Sequence, residues 1–177
     1  MIGGISVERR SKEKIIPIEI YTDGSLKKEG KNSTFGGWAY FAVQDGKEIY
    51  YESGSEYDTT NQRMELLAIL KGLKYAKSIR RNSDKVIIYS DSAYAINCYL
   101  QEWYINWQAN GWINCKKQEV ANKDLWQEIV PFFDNFWYDF RKVKGHDGNY
   151  WNEICDEWAQ KEAEKLKRTW RGTQNYG

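Results

Sequence analysis

Residues 15–25 read IIPIEIYTDGS, and this stretch decides the fold. Ile16, Ile18 and Ile20 alternate with Glu19, Tyr21 and Asp23, the period of two that puts successive side chains on opposite faces of a strand. Asp23-Gly24-Ser25 carries turn chemistry, so the strand is expected to close there, with the polar residues 27–34 as a loop. Downstream, residues 36–54 (GGWAYFAVQDGKEIYYESG) hold two aromatic and β-branched runs joined at Gln44-Asp45-Gly46-Lys47, the signature of a hairpin. Residues 59–81 (TTNQRMELLAILKGLKYAKSIRR) switch period: Leu66, Ile69, Leu70 and Leu73 recur at helical spacing, with Thr60 or Asn61 as cap.

Residues 85–91 (KVIIYSD) are short, apolar and β-branched, which predicts a buried strand. A helix is expected from Ser92, a second over Asp124–Phe133, a strand over Phe136–Lys144, and a final helix from about Tyr150. In that last helix Trp151, Ile154, Cys155, Trp158, Ala159 and Leu166 form one apolar stripe. The Trp-rich residues 103–123 show no clear period. Three antiparallel-looking strands followed by helix, strand, helices, strand and helix make an α/β (α+β) domain with a mixed sheet. The expected organisation is a flexible leader over 1–14, one domain over 15–168 and a tail over 169–177.

Composition narrows the function. Nine Trp and thirteen Tyr with two Pro indicate a packed domain. A net charge of +1 gives no global field that would gather a polyanion. Cys98, Cys115 and Cys155 are odd in number and in no CxxC pairing, which argues against a disulfide framework or a zinc site. No apolar run reaches membrane-spanning length, and the charged leader is too polar for a signal peptide. The expectation is a monomeric protein with no membrane partner, in the cytoplasm or wherever its substrate forms (nucleoid or nucleus).

Four acids stand where different elements could deliver them to one spot: Asp23 and Asp91 at two strand ends, Glu65 in the first turn of a helix, and Asp156 in the last helix. Neighbouring strand ends form the crevice where open α/β sheets place ligands. Several carboxylates converging there suit Mg²⁺, which prefers hard oxygen donors. Two such ions, ~3.5–4 Å apart, serve phosphodiester hydrolysis. Singly, each acid has an ordinary reading. Asp23 precedes a turn glycine, Asp91 could cap the next helix, Glu65 could favour a helix dipole, and Asp156 could be solvated charge.

The strings YTDGS (21–25), TTNQRMEL (59–66), YSDSAYA (89–95), KVKGHDG (142–148) and NEICDEWA (152–159), in this order and spacing, resemble ribonuclease H of type 1 over nearly all of residues 15–165. The resemblance implies that family's fold, a five-stranded mixed sheet flanked by helices. It implies an endonuclease that cuts the RNA strand of RNA–DNA hybrids with two Mg²⁺ (Mn²⁺ substituting), leaving 5′-phosphate and 3′-hydroxyl ends. The metal quartet falls on Asp23, Glu65, Asp91 and Asp156. His146, the only histidine, falls on the loop histidine that assists proton transfer or product departure. Glu153 falls on a mobile acid near the ions. Asn61 and Gln62 match the pair that enters the minor groove, and Thr60 and Asn122 the pocket that grips a DNA phosphate. Backbone groups near Gly24 and Ser25 are expected to join in sensing the 2′-hydroxyl.

Trp103, Trp107 and Trp112 fall on the family's DNA-facing excursion. At least one is expected to be buried, and Trp103 to approach the DNA. Two departures lower the expected hybrid affinity. Gln108-Ala109-Asn110 replaces a basic run, and Asp58 stands where some relatives carry a cation. Each lost phosphate contact weakens sequence-independent binding. Alternatives are a different nuclease on a similar sheet, a catalytically inactive nucleic-acid-binding domain, or a fragment of a reverse transcriptase. The first strand lacks the D-x-E of proofreading exonucleases, all four ligands and His146 are present, and the start at Met1 favours a free-standing enzyme.

Overall fold

A computed structural model describes residues 15–143 and 149–176. Five strands form one sheet: β1 (Ile18–Glu29), β2 (Ser33–Gln44), β3 (Lys47–Tyr57), β4 (Val86–Ser90) and β5 (Tyr138–Lys142). Their order is β3-β2-β1-β4-β5. β1, β2 and β3 pair antiparallel, whereas β4 pairs parallel to both β1 and β5. The helices are α1 (Asn61–Ile79), α2 (Ala93–Leu100), α3 (Trp103–Ala109), α4 (Lys123–Phe133) and α5 (Tyr150–Gln174). The five-stranded mixed sheet expected from the sequence is present.

The period of two sorts β1 as read. Ile18 and Ile20 lie in the main core with Trp38, Tyr40, Val86 and Ile88, under α1 and α4. Tyr21 points the other way and packs with Phe41, Val43 and Cys155 against α5. α1 is the central helix: Met64, Leu66, Ala68, Ile69, Leu70, Leu73 and Ala76 are all buried. The buried side of α5 is built from Cys155, Ala159 and Ala163, small enough to let the helix lie close to the sheet. A Cβ on Gly37 would run into the Ala159 carbonyl oxygen, so glycine there sets how closely α5 approaches. Trp151, Ile154 and Trp158 flank this contact half-buried rather than forming its centre.

Several local expectations change. β1 does not close at Asp23-Gly24-Ser25; it continues paired with β2 as far as Glu29↔Ser33. What ends near Asp23 is the pairing with β4, whose last partners are Tyr21↔Tyr89. Beyond that point β1 has lost its second neighbour, and its polar residues face water while the backbone stays in a ladder. The loop expected over 27–34 therefore shrinks to a turn at residues 30–32. The last strand is shorter than Phe136–Lys144, with β5 spanning Tyr138–Lys142. Six residues of the segment expected as a tail are helical, since α5 runs to Gln174. Trp170 there packs its ring edge-on to Phe35 at 5.4 Å, and Arg171 donates to Glu29 at 2.9 Å. Residues 1–14 lie outside the described residues. Among those described, no helix is long and apolar enough to cross a membrane.

Candidate active site

The parallel ladder of β1 and β4 stops at Tyr21, two residues before Asp23, and Asp91 directly follows β4. Adjacent strand ends thus carry both carboxylates to one side of the sheet. Thr22 holds the two strands in register by donating to the Tyr89 carbonyl at 2.8 Å. Glu65 arrives from α1, which lies tight against β1. A Cβ on Gly24 would collide with the backbone nitrogen of Glu65, so the glycine after Asp23 is what admits α1 this close. Glu65 sits one turn further along than expected. Thr60 is the N-cap and the first turn of α1 holds no acid, so a helix-dipole role for Glu65 is weak. Asp91 does not cap α2 either; Ser92 does, accepting from Ala95 N–H.

Carboxylate oxygens of Asp23, Glu65 and Asp91 lie within 4.8 Å of one another. Asp23 is only 5% exposed, and its own hydrogen bond is from Gly24 N–H at 2.8 Å. Burial first, then the negative charge of Asp91, with smaller repulsion from Asp156 and Glu65, pushes its carboxyl up to about 8. Glu65 is pushed up to about 7 by burial and by Asp91, against hydrogen bonds from Ser92 and Asn61 that favour its charged form. Asn61 donates to it at 3.2 Å. Three hard-oxygen donors this close, with two of them raised by burial and mutual repulsion, fit a divalent cation. Such an ion would offset the repulsion and keep all three ionised.

The same cleft, about 150 Å³, is lined also by Asn152, Glu153 and Asp156. Asp156 borders it from α5 but stands outside the tight trio, and its Oδ2 accepts from Gln160 at 2.8 Å. Glu153 is exposed in the first turn of α5. His146 lies outside the described residues. Sequence reading passed over Asn152, buried at 6% exposure beside the acids, and Ser92, which serves both as helix cap and as a partner of Glu65.

Beside this cleft, at the N-terminus of α1, Thr60 Oγ1 accepts from Arg63 N–H at 3.1 Å. Gln62 is half-buried and Asn61 exposed. Asn122 precedes α4 in a left-handed conformation (φ 59°) and makes no side-chain cap bond. Arg63 joins these pieces, a part that its place inside TTNQRMEL did not reveal. Of the tryptophans, Trp107 is buried while Trp103 and Trp112 are half-buried. Trp103 donates to Gln101 at 3.1 Å. Trp103 and Trp107 line an open cavity of about 790 Å³ together with Asn114, Cys115 and Lys116.

Comparison with known proteins agrees with this geometry. The family model described as RNase H matches residues 16–164. The chain is 44% identical to the ribonuclease H of Syntrophomonas wolfei over 151 residues, covering 84% of this chain and 97% of that protein. It is 45% identical to that of Francisella tularensis subsp. novicida over 148 residues, covering 82% and 90%. Among solved structures, the fold is similar to the PFV RNase H domain (TM-score 0.70, 22% identity, 84% of this chain and 95% of that one). It is also similar to LC11-RNase H1 in complex with an RNA/DNA hybrid (TM-score 0.62, 19% identity, 84% and 98%).

Proposed function

This chain belongs to the ribonuclease H family, and from that premise we propose that it hydrolyses the RNA strand of RNA–DNA hybrids with the help of Mg²⁺, leaving 5′-phosphate and 3′-hydroxyl ends. The observation that carries the reading is the convergence of Asp23, Glu65 and Asp91, with carboxylate oxygens within 4.8 Å of one another.

Asp23, Glu65 and Asp91 hold the cations, and Asp156 completes the set from α5. Bound between these carboxylates, two Mg²⁺ ions (or Mn²⁺ in their place) would supply the Lewis acidity that activates a water and offsets charge on the leaving oxygen. Asn61 orients Glu65 through its amide, and Ser92 steadies the same carboxylate from α2. Gly24 and Ser25 bring bare backbone beside Asp23, where a 2′-hydroxyl distinguishes RNA from DNA. Asn61 and Gln62 enter the minor groove, Thr60 and Asn122 take a phosphate of the DNA strand, and Trp103 stacks against that strand. His146 and Glu153 assist proton transfer and turnover. The domain, which runs to the end of α5 at Gln174 rather than to residue 168, acts as a single catalytic unit, working as a monomer in the cytoplasm or nucleoid.

The test is cleavage of end-labelled RNA–DNA, RNA–RNA and DNA–DNA duplexes with Mg²⁺ and with EDTA. The expected result is cutting of the hybrid's RNA strand alone, abolished by EDTA. Equal cutting of all three duplexes, or cutting that survives EDTA, would overturn the proposal.

A further inference from the structure

Arg63 is the most heavily engaged cation among the described residues. Its Nε bonds Glu56 of β3 at 2.7 Å. Nη1 and Nη2 grip the two oxygens of Asp124 on α4 at 3.0 and 2.9 Å. Such a bidentate fork fixes geometry that a point charge would leave free. Nη1 also lies 3.5 Å from Asn122 Oδ1, while the backbone N–H of Arg63 bonds Thr60 Oγ1. The Arg63 fork therefore ties the end of β3, the start of α1 and the start of α4 together.

The two bonds to Asn122 and Thr60 share a polarity. Each presents a donor of Arg63 to an acceptor oxygen. An amide whose oxygen faces a guanidinium turns its NH₂ away, and a hydroxyl that accepts still has its proton to give. A phosphate offers only acceptors, so a pocket for it must show donors. We propose that Arg63 is a positioning residue whose guanidinium sets the donor polarity of Asn122 in the Thr60–Asn122 phosphate pocket without itself contacting the phosphate, while the Thr60 hydroxyl is oriented by the backbone N–H of the same residue. Its guanidinium is already matched by Glu56 and Asp124, and the hydrogen bond from Arg63 holds the Asp124 carboxyl below its ordinary range. This inference rests on the hybrid-cleaving function proposed above.

The test compares Arg63→Gln, Arg63→Lys and Asp124→Asn in steady-state cleavage of a hybrid. A second substrate series carries one neutral methylphosphonate linkage at successive positions of the DNA strand. Arg63→Gln is expected to raise KM about tenfold, the scale of one charge-assisted contact, with kcat within about twofold. Arg63→Lys keeps the charge, loses the fork and shows nearly the same rise. Asp124→Asn raises KM several-fold although it makes the protein more positive, opposite to the general effect of charge on nucleic-acid binding. One neutral linkage weakens the wild type and weakens Arg63→Gln several-fold less, since the Thr60 hydroxyl keeps its backbone bond in that variant.

A lower KM for Asp124→Asn would show that Arg63 meets the phosphate directly and would overturn the inference. So would an unchanged KM in Arg63→Gln, or a neutral-linkage penalty retained in full by that variant. If Arg63→Gln does not fold, Asp124→Asn, which keeps the pair with Glu56, decides alone. A wild-type chain that cuts no hybrid defeats the functional reading beneath. Normal wild-type cleavage with flat variant KM values defeats only the role of Arg63.

Discussion

Glu65 and Arg63 stand two residues apart on α1, and their surroundings are built on opposite principles. Around Glu65, burial and neighbouring carboxylates work together, so that both it and Asp23 are raised far above the usual carboxylate range. Around Arg63, one guanidinium meets Glu56 and Asp124 at hydrogen-bond distance, and the charges answer each other within the protein. Repulsion of the first kind is offset by a cation from outside. The second arrangement is complete as it stands and can act as scaffold. Proximity of charged residues therefore says little by itself; whether the charges are matched separates a site that awaits a ligand from a joint that holds the fold.

The comparison breaks most visibly at Asp91. Asp91→Asn is expected to lower hybrid cleavage about a thousandfold, while the melting temperature in EDTA stays level or rises, because one source of repulsion on Asp23 and Glu65 is gone. A large fall in the metal-free melting temperature would mean that Asp91 is a structural residue. On the matched side, Asp124→Asn should leave kcat nearly intact and act on KM, as set out above. A loss of kcat equal to that of Asp91→Asn would erase the distinction between the two regions.

A smaller effect lies in the pH dependence of stability. The folded-state values of Asp23 and Glu65, about 8 and about 7, exceed their ordinary values of 3.8 and 4.5. The folded state thus holds protons that the unfolded chain releases. Their contribution to stability is fully present below about pH 4 and is lost as pH rises through 7 and 8. In EDTA the melting temperature should fall between pH 6 and pH 9 by on the order of 5 °C, and Asp23→Asn should flatten that fall. An equally steep fall in Asp23→Asn would place its cause elsewhere.

Much of this was legible in the chain. The alternation in IIPIEIY marks β1, and Asp45-Gly46 places the hairpin turn, where both residues take positive φ (54° and 70°). The helical recurrence after Thr60 marks α1, and the apolar run to Ser90 marks β4. The positions of Asp23, Glu65 and Asp91 followed from motif order, and the fold brings these three together. The far end of β1 was hidden because Lys27, Lys28 and Glu29 have the composition of a loop, while their backbones pair with β2. A ladder depends on the partner strand, and local polarity does not report it. Asp156 was grouped with the others by its motif, yet its separation from the trio depends on where α5 crosses the sheet, and small residues such as Gly37 and Ala159 decide that. The Arg63 fork was invisible for the plainest reason: its partners Asn122 and Asp124 lie 59 and 61 residues away along the chain.

The central claim, that Asp23, Glu65 and Asp91 form a site for a divalent cation, is tested most directly by thermal melting at pH 8 as Mg²⁺ is added to metal-free wild type and to Asp23→Asn. Mg²⁺ at about tenfold over its dissociation constant should raise the wild-type melting temperature by roughly 3–5 °C, with little change in Asp23→Asn. An unmoved wild type, or an equal rise in both proteins, would contradict the account.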